Sequence, residues 1–230
     1  MSLPRETVLK ELGLWPRWQL KQRPAAPAQQ EGRAQIIARM DWDELTHAIL
    51  QCTACPLHLT RTQAVPGVGD RNADWLVVGE APGAEEDAKG EPFVGQAGRL
   101  LDAMLAAIDL ARGENVYIAN VLKCRPPGNR NPAPEEVAAC LPYLMRQIEL
   151  LRPKITFAVG RFAAQALLDT DEPIGRLRGR VHRYHGIPVV VSYHPAYLLR
   201  NPADKAKAWE DLCLARRVAA EARPAASPGP

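Results

Sequence analysis

The sequence predicts an α/β protein: a four-stranded, mostly parallel sheet with helices on both faces. Three observations carry this expectation. Four short apolar, β-branched runs recur along the chain, at residues 74–79, 115–121 (NVYIANV), 154–160 (KITFAVG) and 186–193 (GIPVVVSY). Helical segments lie between them, so strands alternate with helices, the pattern of a parallel sheet. Three of the runs end in a polar side chain, Glu80, Asn120 or His194. In a parallel sheet those ends share one edge, where open α/β folds place their ligands.

A chain of 230 residues is long enough for one sizeable core and an appendage. No apolar run approaches the length of a bilayer span, so a membrane protein is not expected. The opening residues, MSLPRETVLKELGLW, lack the apolar core of a secretory signal, so the expected location is the cytoplasm. The net charge of +3 is too small to define a nucleic-acid partner. Local clustering says more: Arg176–Arg183 (RLRGRVHR) carries arginines at 176, 178, 180 and 183 and no acid. Five cysteines, an odd count without an export signal, argue against a disulfide framework.

Taken in order, residues 1–21 read as a short helical element with Trp15 and Trp18, and 22–34 (QRPAAPAQQEGRA) as a linker. Residues 1–40 are thus an N-terminal extension. Residues 41–222 form the main domain, and 223–230 a disordered tail. Asp41 opens a helix with an acidic first turn that runs to Gln51. The first strand, 74–79, leads into GEAPG at 79–83 and a second Gly-rich turn bearing Phe93. Leu100, Leu101, Met104, Leu105 and Ile108 set a helix from Gln96 to Ala111. After the second strand, KCRPPGNRNPAP (123–134) is too rich in proline for regular structure. Helices are expected over 134–151, 161–168 and 204–222.

Four cysteines stand out: Cys52 and Cys55 in a C-x-x-C-P pair, Cys124 just past the second strand, and Cys140 on the next helix. A C-x-x-C pair offers two thiolates to one metal centre. The connectivity lets Cys124 and Cys140 return to that pair. Scattered packing cysteines, a structural zinc and an iron–sulfur cluster are all open on this ground, since four thiolates suit either metal. Cys213, in the closing helix, reads as a core residue.

Several motifs in sequence order resemble one family. GEAPG at 79–83, EPFVGQAG at 91–98, the cysteine spacing, NVLKCRPPGNRNP at 120–132 and HPAYLL at 194–199 resemble the family 4 uracil-DNA glycosylases, the iron–sulfur class of the superfamily. The likeness spans about Leu45 to Leu212. It implies a three-layer α/β/α fold of uracil-DNA glycosylase type. It also implies a monofunctional enzyme that flips uracil out of DNA and hydrolyses its N-glycosidic bond, leaving an abasic site. The resemblance makes Cys52, Cys55, Cys124 and Cys140 ligands of a structural [4Fe–4S] cluster. The expected partner is uracil-containing DNA, single- or double-stranded, bound by a monomer without a membrane.

A flipped base needs a stacking surface, a reader of its edge and charge stabilisation. Phe93 is the stacking candidate and Asn120 the reader, because an amide matches the adjacent O4 and N3–H of uracil. Gly79, Ala81 and Gly83 complete the substrate wall. His194 is placed to stabilise the departing anion at O2, and Glu80 to position the attacking water. In the family 1 enzymes an aspartate takes the motif position that is Ala81 here, so Glu80 stands one residue away from it. Leu198 is the candidate wedge into the base stack, and Arg178, Arg180 and Arg200 the candidate phosphate contacts. A related class attaches to DNA through a histidine in a KRRIH-type loop. The corresponding stretch here is KCRPPGNRNP, so turnover is expected. The rival readings are a non-catalytic, metal-stabilised nucleic-acid-binding module and a cluster-based redox module. The first leaves GEAPG and HPAYLL unused, and the second leaves Glu80, Asn120 and His194 on one sheet edge unexplained.

Overall fold

The computed structural model describes residues 27–222, so the expected helix over 1–21 and the tail at 223–230 lie outside the described residues. Among the described residues, 34–222 form one compact unit. The first described element is α1 (Pro27–Ile37), so the linker expected over 22–34 is helical from Pro27 onward. Proline is favoured at the first helical position, and the Ala-Gln-Gln-Glu that follows propagates a helix. Helix α2 (Trp42–Leu50) begins as its sequence directs. The Asp41 carboxylate accepts from the Asp43 and Glu44 amides, both at 2.9 Å, and Glu44 reaches back to the Asp41 amide at 3.0 Å. This reciprocal capping box satisfies amides that would otherwise be orphaned.

The elements that follow are β1 (Val68–Gly69), β2 (Trp75–Gly79), α3 (Ala84–Lys89), α4 (Gln96–Ala106), β3 (Val116–Asn120), α5 (Pro134–Leu151) and β4 (Ile155–Val159). Then come α6 (Arg161–Leu168), α7 (Ile174–Leu177), β5 (Val181–Tyr184), β6 (Ile187–Ser192), α8 (Pro195–Arg200) and α9 (Lys205–Glu221). The strand order is β1-β3-β2-β4-β6-β5. The four central strands are the four expected from the sequence, and all pair in parallel. Two short antiparallel edge strands bring the sheet to six. The β5–β6 hairpin turns through His185 and Gly186, both at positive φ, the geometry that matches strand twist in a two-residue loop. Helix α4 stops at Ala106 rather than Ala111, because Asp109 adopts a left-handed conformation (φ 62°) that no α-helix continues through.

The alternation of strand side chains builds the three layers. Trp75 and Val77 of β2 pack with Leu101 and Leu105 of α4 and Leu212 of α9 on one face. Leu76 and Val78 pack with Leu144 and Ile148 of α5 and Ala163 and Leu167 of α6 on the other. A third apolar cluster lies to one side: Ile37, Leu45, Ile49 and Leu57 surround Cys124, Cys140 and Tyr143. Strand ends therefore meet loops on one edge, and the cysteine-bearing segments gather beside the sheet.

Candidate active site

The carboxyl ends of the four parallel strands open on a cavity of about 770 Å³, whose walls include Glu80, Asn120, Arg161 and His194. Register explains the convergence: Gly79 at the end of β2 pairs with Asn120 at the end of β3, and the β6 strand ends two residues before His194. Ala81, Gly83 and Phe93 also line the cavity. Gly79 does not, which corrects its expected place on the substrate wall. It lies behind that wall, where a Cβ would collide with Asn120 Oδ1 and the Phe93 ring. Its role is to leave them room.

Asn120 is 2% exposed, and among the described residues its Oδ1 has no hydrogen-bond partner. A buried amide oxygen left unpaired costs about 1–3 kcal/mol, which a ligand donor removes. His194 sits at the start of α8, where its Nδ1 accepts the Ala196 amide at 3.1 Å. In the neutral ring the proton is therefore on Nε2, leaving that N–H as a donor. Burial pushes the imidazole down to about 4, with the Arg200 charge acting the same way and Glu86 opposing. His194 is neutral at physiological pH. The Phe93 ring stacks on it, with centroids 5.4 Å apart and planes 27° apart. Phe93 itself has φ 56°, a left-handed backbone costing on the order of 1–3 kcal/mol for a residue other than glycine.

Glu80 is partly buried beside the cavity. Burial pushes its carboxyl up to about 7, against the lowering influence of Arg161. Arg161 was missed by sequence reasoning, although a signal was there: AVG-Arg161 repeats the strand–Gly–charge pattern of VVG-Glu80. Its guanidinium lies over the Phe162 ring, 4.5 Å from the centroid. Tyr193 and Tyr197, also missed, stack on each other at the cavity wall, centroids 5.0 Å apart.

Three of the expected DNA contacts fall differently. Leu198 is 1% exposed, so it packs into the protein and is not presented as a wedge. Four residues after His194 it shares that residue's inward helical face. Leu199, one position on, is 40% exposed. Arg178 is held inside the fold: Nε donates to Asp211 at 3.0 Å, and Nη2 donates to the Lys207 carbonyl at 2.6 Å. Asp211 is fully buried, so this arginine balances an interior charge and is not presented to phosphate. Arg180 is exposed but paired with Glu172 at 3.2 Å. Arg200 is exposed and lines the cavity.

The four cysteines come together around the third apolar cluster, Cys124 and Cys140 buried within it and Cys52 and Cys55 packed against it. N–H groups are aimed at the sulfurs: Arg61 Nη1 donates to Cys124 Sγ at 2.9 Å, and the Lys123 amide to Cys140 Sγ at 3.2 Å. Burial pushes the Cys140 thiol up to about 12 and raises those of Cys55 and Cys124. Thiolates so placed need a positive centre to balance them. Among the described residues no group of three or more His, Cys, Asp or Glu is poised to hold a metal ion. Four soft thiolate donors beside one another suit a zinc ion or an iron–sulfur cluster alike. Cys213 stands apart on α9 as a free thiol.

Fold and cavity together define a class. The sequence model of the Uracil DNA glycosylase superfamily matches residues 66–213. The chain is 49% identical over 168 residues to the type-4 uracil-DNA glycosylase of Archaeoglobus fulgidus, covering 70% of this chain and 84% of the relative. It is 45% identical to the type-4 enzyme of Pyrobaculum aerophilum, over 76% of this chain and 93% of the relative. It is also 45% identical to that of Thermotoga maritima, over 70% and 84%. The chain belongs to the type-4 uracil-DNA glycosylases. Among the described residues no helix is long and apolar enough to cross a membrane.

Proposed function

We propose that this chain excises uracil from DNA by hydrolysing the N-glycosidic bond, with residues 41–222 as its catalytic domain. The observation that carries the reading is the orphaned Asn120 Oδ1 on the cavity wall. Uracil N3–H supplies the donor that this oxygen lacks, and uracil O4 accepts from the amide nitrogen. Cytosine has no proton on N3, so it leaves the oxygen unpaired. A buried polar group left without its partner is the strongest source of discrimination a small pocket has.

Phe93 stacks on the flipped base. His194 donates its Nε2–H to uracil O2 and stabilises the negative charge that builds as the bond to C1′ breaks; a neutral donor suffices. Glu80, with its carboxyl near neutrality, accepts a proton from the water that attacks C1′, matching the optimum for a general base. The departing uracil anion then takes up a proton from solvent. Arg200 and Arg161 at the cavity wall are the cations that meet the flanking phosphates. Cys52, Cys55, Cys124 and Cys140 would hold a [4Fe–4S] cluster, which supplies cross-linking bonds between their three segments and no electron to the hydrolysis.

The test is a labelled oligonucleotide with one uracil, presented single-stranded and opposite G or A, followed by alkali. Strand cleavage at the uracil position is expected. No alkali-sensitive site with any of the three substrates overturns the proposal.

A further inference from the structure

The segment that carries Phe93 is gripped from both sides by opposite charges. Arg112 lies on its carbonyl side, donating Nη1–H to the Pro92 carbonyl at 2.9 Å and Nη2–H to the Phe93 carbonyl at 2.7 Å. Asp102 on α4 holds that guanidinium in place through Nε at 3.1 Å and Nη2 at 2.9 Å. Glu86 lies on the amide side, its Oε1 accepting from Val94 at 3.0 Å and Gly95 at 3.2 Å. The other oxygen of Glu86 accepts the Gly83 amide at 3.0 Å and so ties the segment to the GEAPG turn. From beneath, Gly98 closes against the Phe93 carbonyl so tightly that a Cβ would overlap it. These contacts enclose the residue whose backbone is left-handed.

We propose that Glu86 and Arg112 are positioning residues, a pair of oppositely charged jaws that fix Phe93 in its strained backbone so that its ring lies ready beside Asn120 and His194. Charge-assisted bonds to backbone groups are stronger than neutral ones, and a strained backbone persists only where its surroundings over-determine it. The planar fork of arginine spans two successive carbonyls, which a lysine ammonium cannot reproduce. Neither jaw needs to touch the base. Among the described residues Arg112 donates to main-chain oxygens and Asp102, and the Glu86 carboxylate, though on the cavity wall, accepts from three amides. The inference rests on Phe93 being the stacking surface, and the experiment separates the two claims.

The variants are Arg112→Met, Arg112→Lys, Glu86→Gln, Phe93→Leu and the double variant Phe93→Leu/Arg112→Met, each made in the full chain. The first readout is amide hydrogen exchange over residues 91–98, which does not involve catalysis. Exchange there rises about tenfold or more in Arg112→Met and Glu86→Gln, while peptides around Cys52 and Cys124 stay as in the parent. The second readout is single-turnover excision from a single-stranded uracil oligonucleotide. Arg112→Met slows it roughly tenfold to a hundredfold, as expected when a reacting group is misplaced by about an ångström, and Arg112→Lys falls between. In the Phe93→Leu background the same change costs less than about twofold, because a residue acting through another shows no separate loss once that partner is gone. Unchanged exchange at 91–98 overturns the proposal, as does an equal loss from Arg112→Met in both backgrounds. If Phe93→Leu alone excises at the parent rate, the stacking role fails, and exchange then decides whether the jaws hold the segment.

Discussion

Two polar interiors lie at opposite ends of one short stretch, from Asn120 to Cys124, and they are built on opposite plans. At the cysteine end, acceptors are met by donors aimed from the protein, Arg61 to Cys124 and the Lys123 amide to Cys140. At the pocket end, a buried acceptor, Asn120 Oδ1, is met by none among the described residues. Between them the fully enclosed Lys123 ammonium donates to the Asn120 carbonyl at 2.8 Å and to Gln147 at 2.6 Å. The first plan suits a group that stays for the life of the protein. The second suits one that arrives, pairs and leaves.

The largest effects should come from the permanent end. If the proposed cluster is held there, Cys140→Ser or Cys124→Ser removes one of its bonds to three chain segments, and metal-linked folding is worth on the order of 10 kcal/mol. Loss of absorbance near 400 nm together with a collapsed Tm is the expected result. A colourless parent protein holding one zinc, prepared without air, would break the contrast at its root.

Next comes Arg178, a polar interior of the permanent kind without any metal. Arg178→Ala strands the buried Asp211 and should cost about 3–5 kcal/mol, read as a fall in Tm with the salt dependence of DNA binding unchanged. The transient end should respond in the opposite sense. His194→Ala and Asn120→Ala lower the single-turnover rate by about 10²–10³, yet Asn120→Ala leaves Tm no lower, since the deleted oxygen had no partner. A melting point that drops as far as that of Arg178→Ala would place Asn120 with the structural groups.

Glu80 gives a subtler readout. Its carboxyl titrates about 7 in the fold against 4.5 when exposed. The folded state therefore favours the neutral acid, and stability present below pH 4.5 is lost as pH rises toward 7. Glu80→Gln should raise Tm at pH 8 and leave it unchanged at pH 4. Excision in the parent should climb with pH through about 7, a limb absent from Glu80→Gln. Arg161→Ala removes the charge that lowers this carboxyl, and so moves the limb to higher pH. The smallest effect is on Arg200, where Arg200→Ala should reduce the slope of log K against log salt by about 1 with Tm unchanged.

The central strands and the main helices were legible because burial on both faces of a parallel sheet writes continuous apolar runs, and helix starts carry caps and prolines. The edge strands were not. Val68–Gly69 is two residues long, and Val181–Tyr184 lies largely inside an arginine run whose charges masked its alternation. The strand-end residues Glu80, Asn120 and His194 were readable as a set, since parallel topology alone brings them to one edge. What resisted was anything fixed by side-chain direction. Leu198 and Leu199 are equally apolar on paper, and only the rotation of α8 turns one inward. Arg178 and Arg200 carry the same charge, and only Asp211, distant in sequence, takes the first of them into the interior. Arg112 and Glu86 hold main-chain atoms, and that leaves no residue-type signature.

The order in which the pocket's walls occur along the chain has a consequence for the protein's birth. Glu80 leaves the ribosome first and Asn120 next, while His194 follows only after β4 and β6 have been made. A nascent chain that already carries Cys52, Cys55, Cys124, Cys140 and Asn120 still lacks His194, the group we propose to stabilise the leaving anion. Domains generally fold as units during synthesis, and β6 must dock beside β4 before His194 reaches the edge. The edge on which Glu80, Asn120 and His194 meet is therefore complete only once β6 has been made and paired with β4.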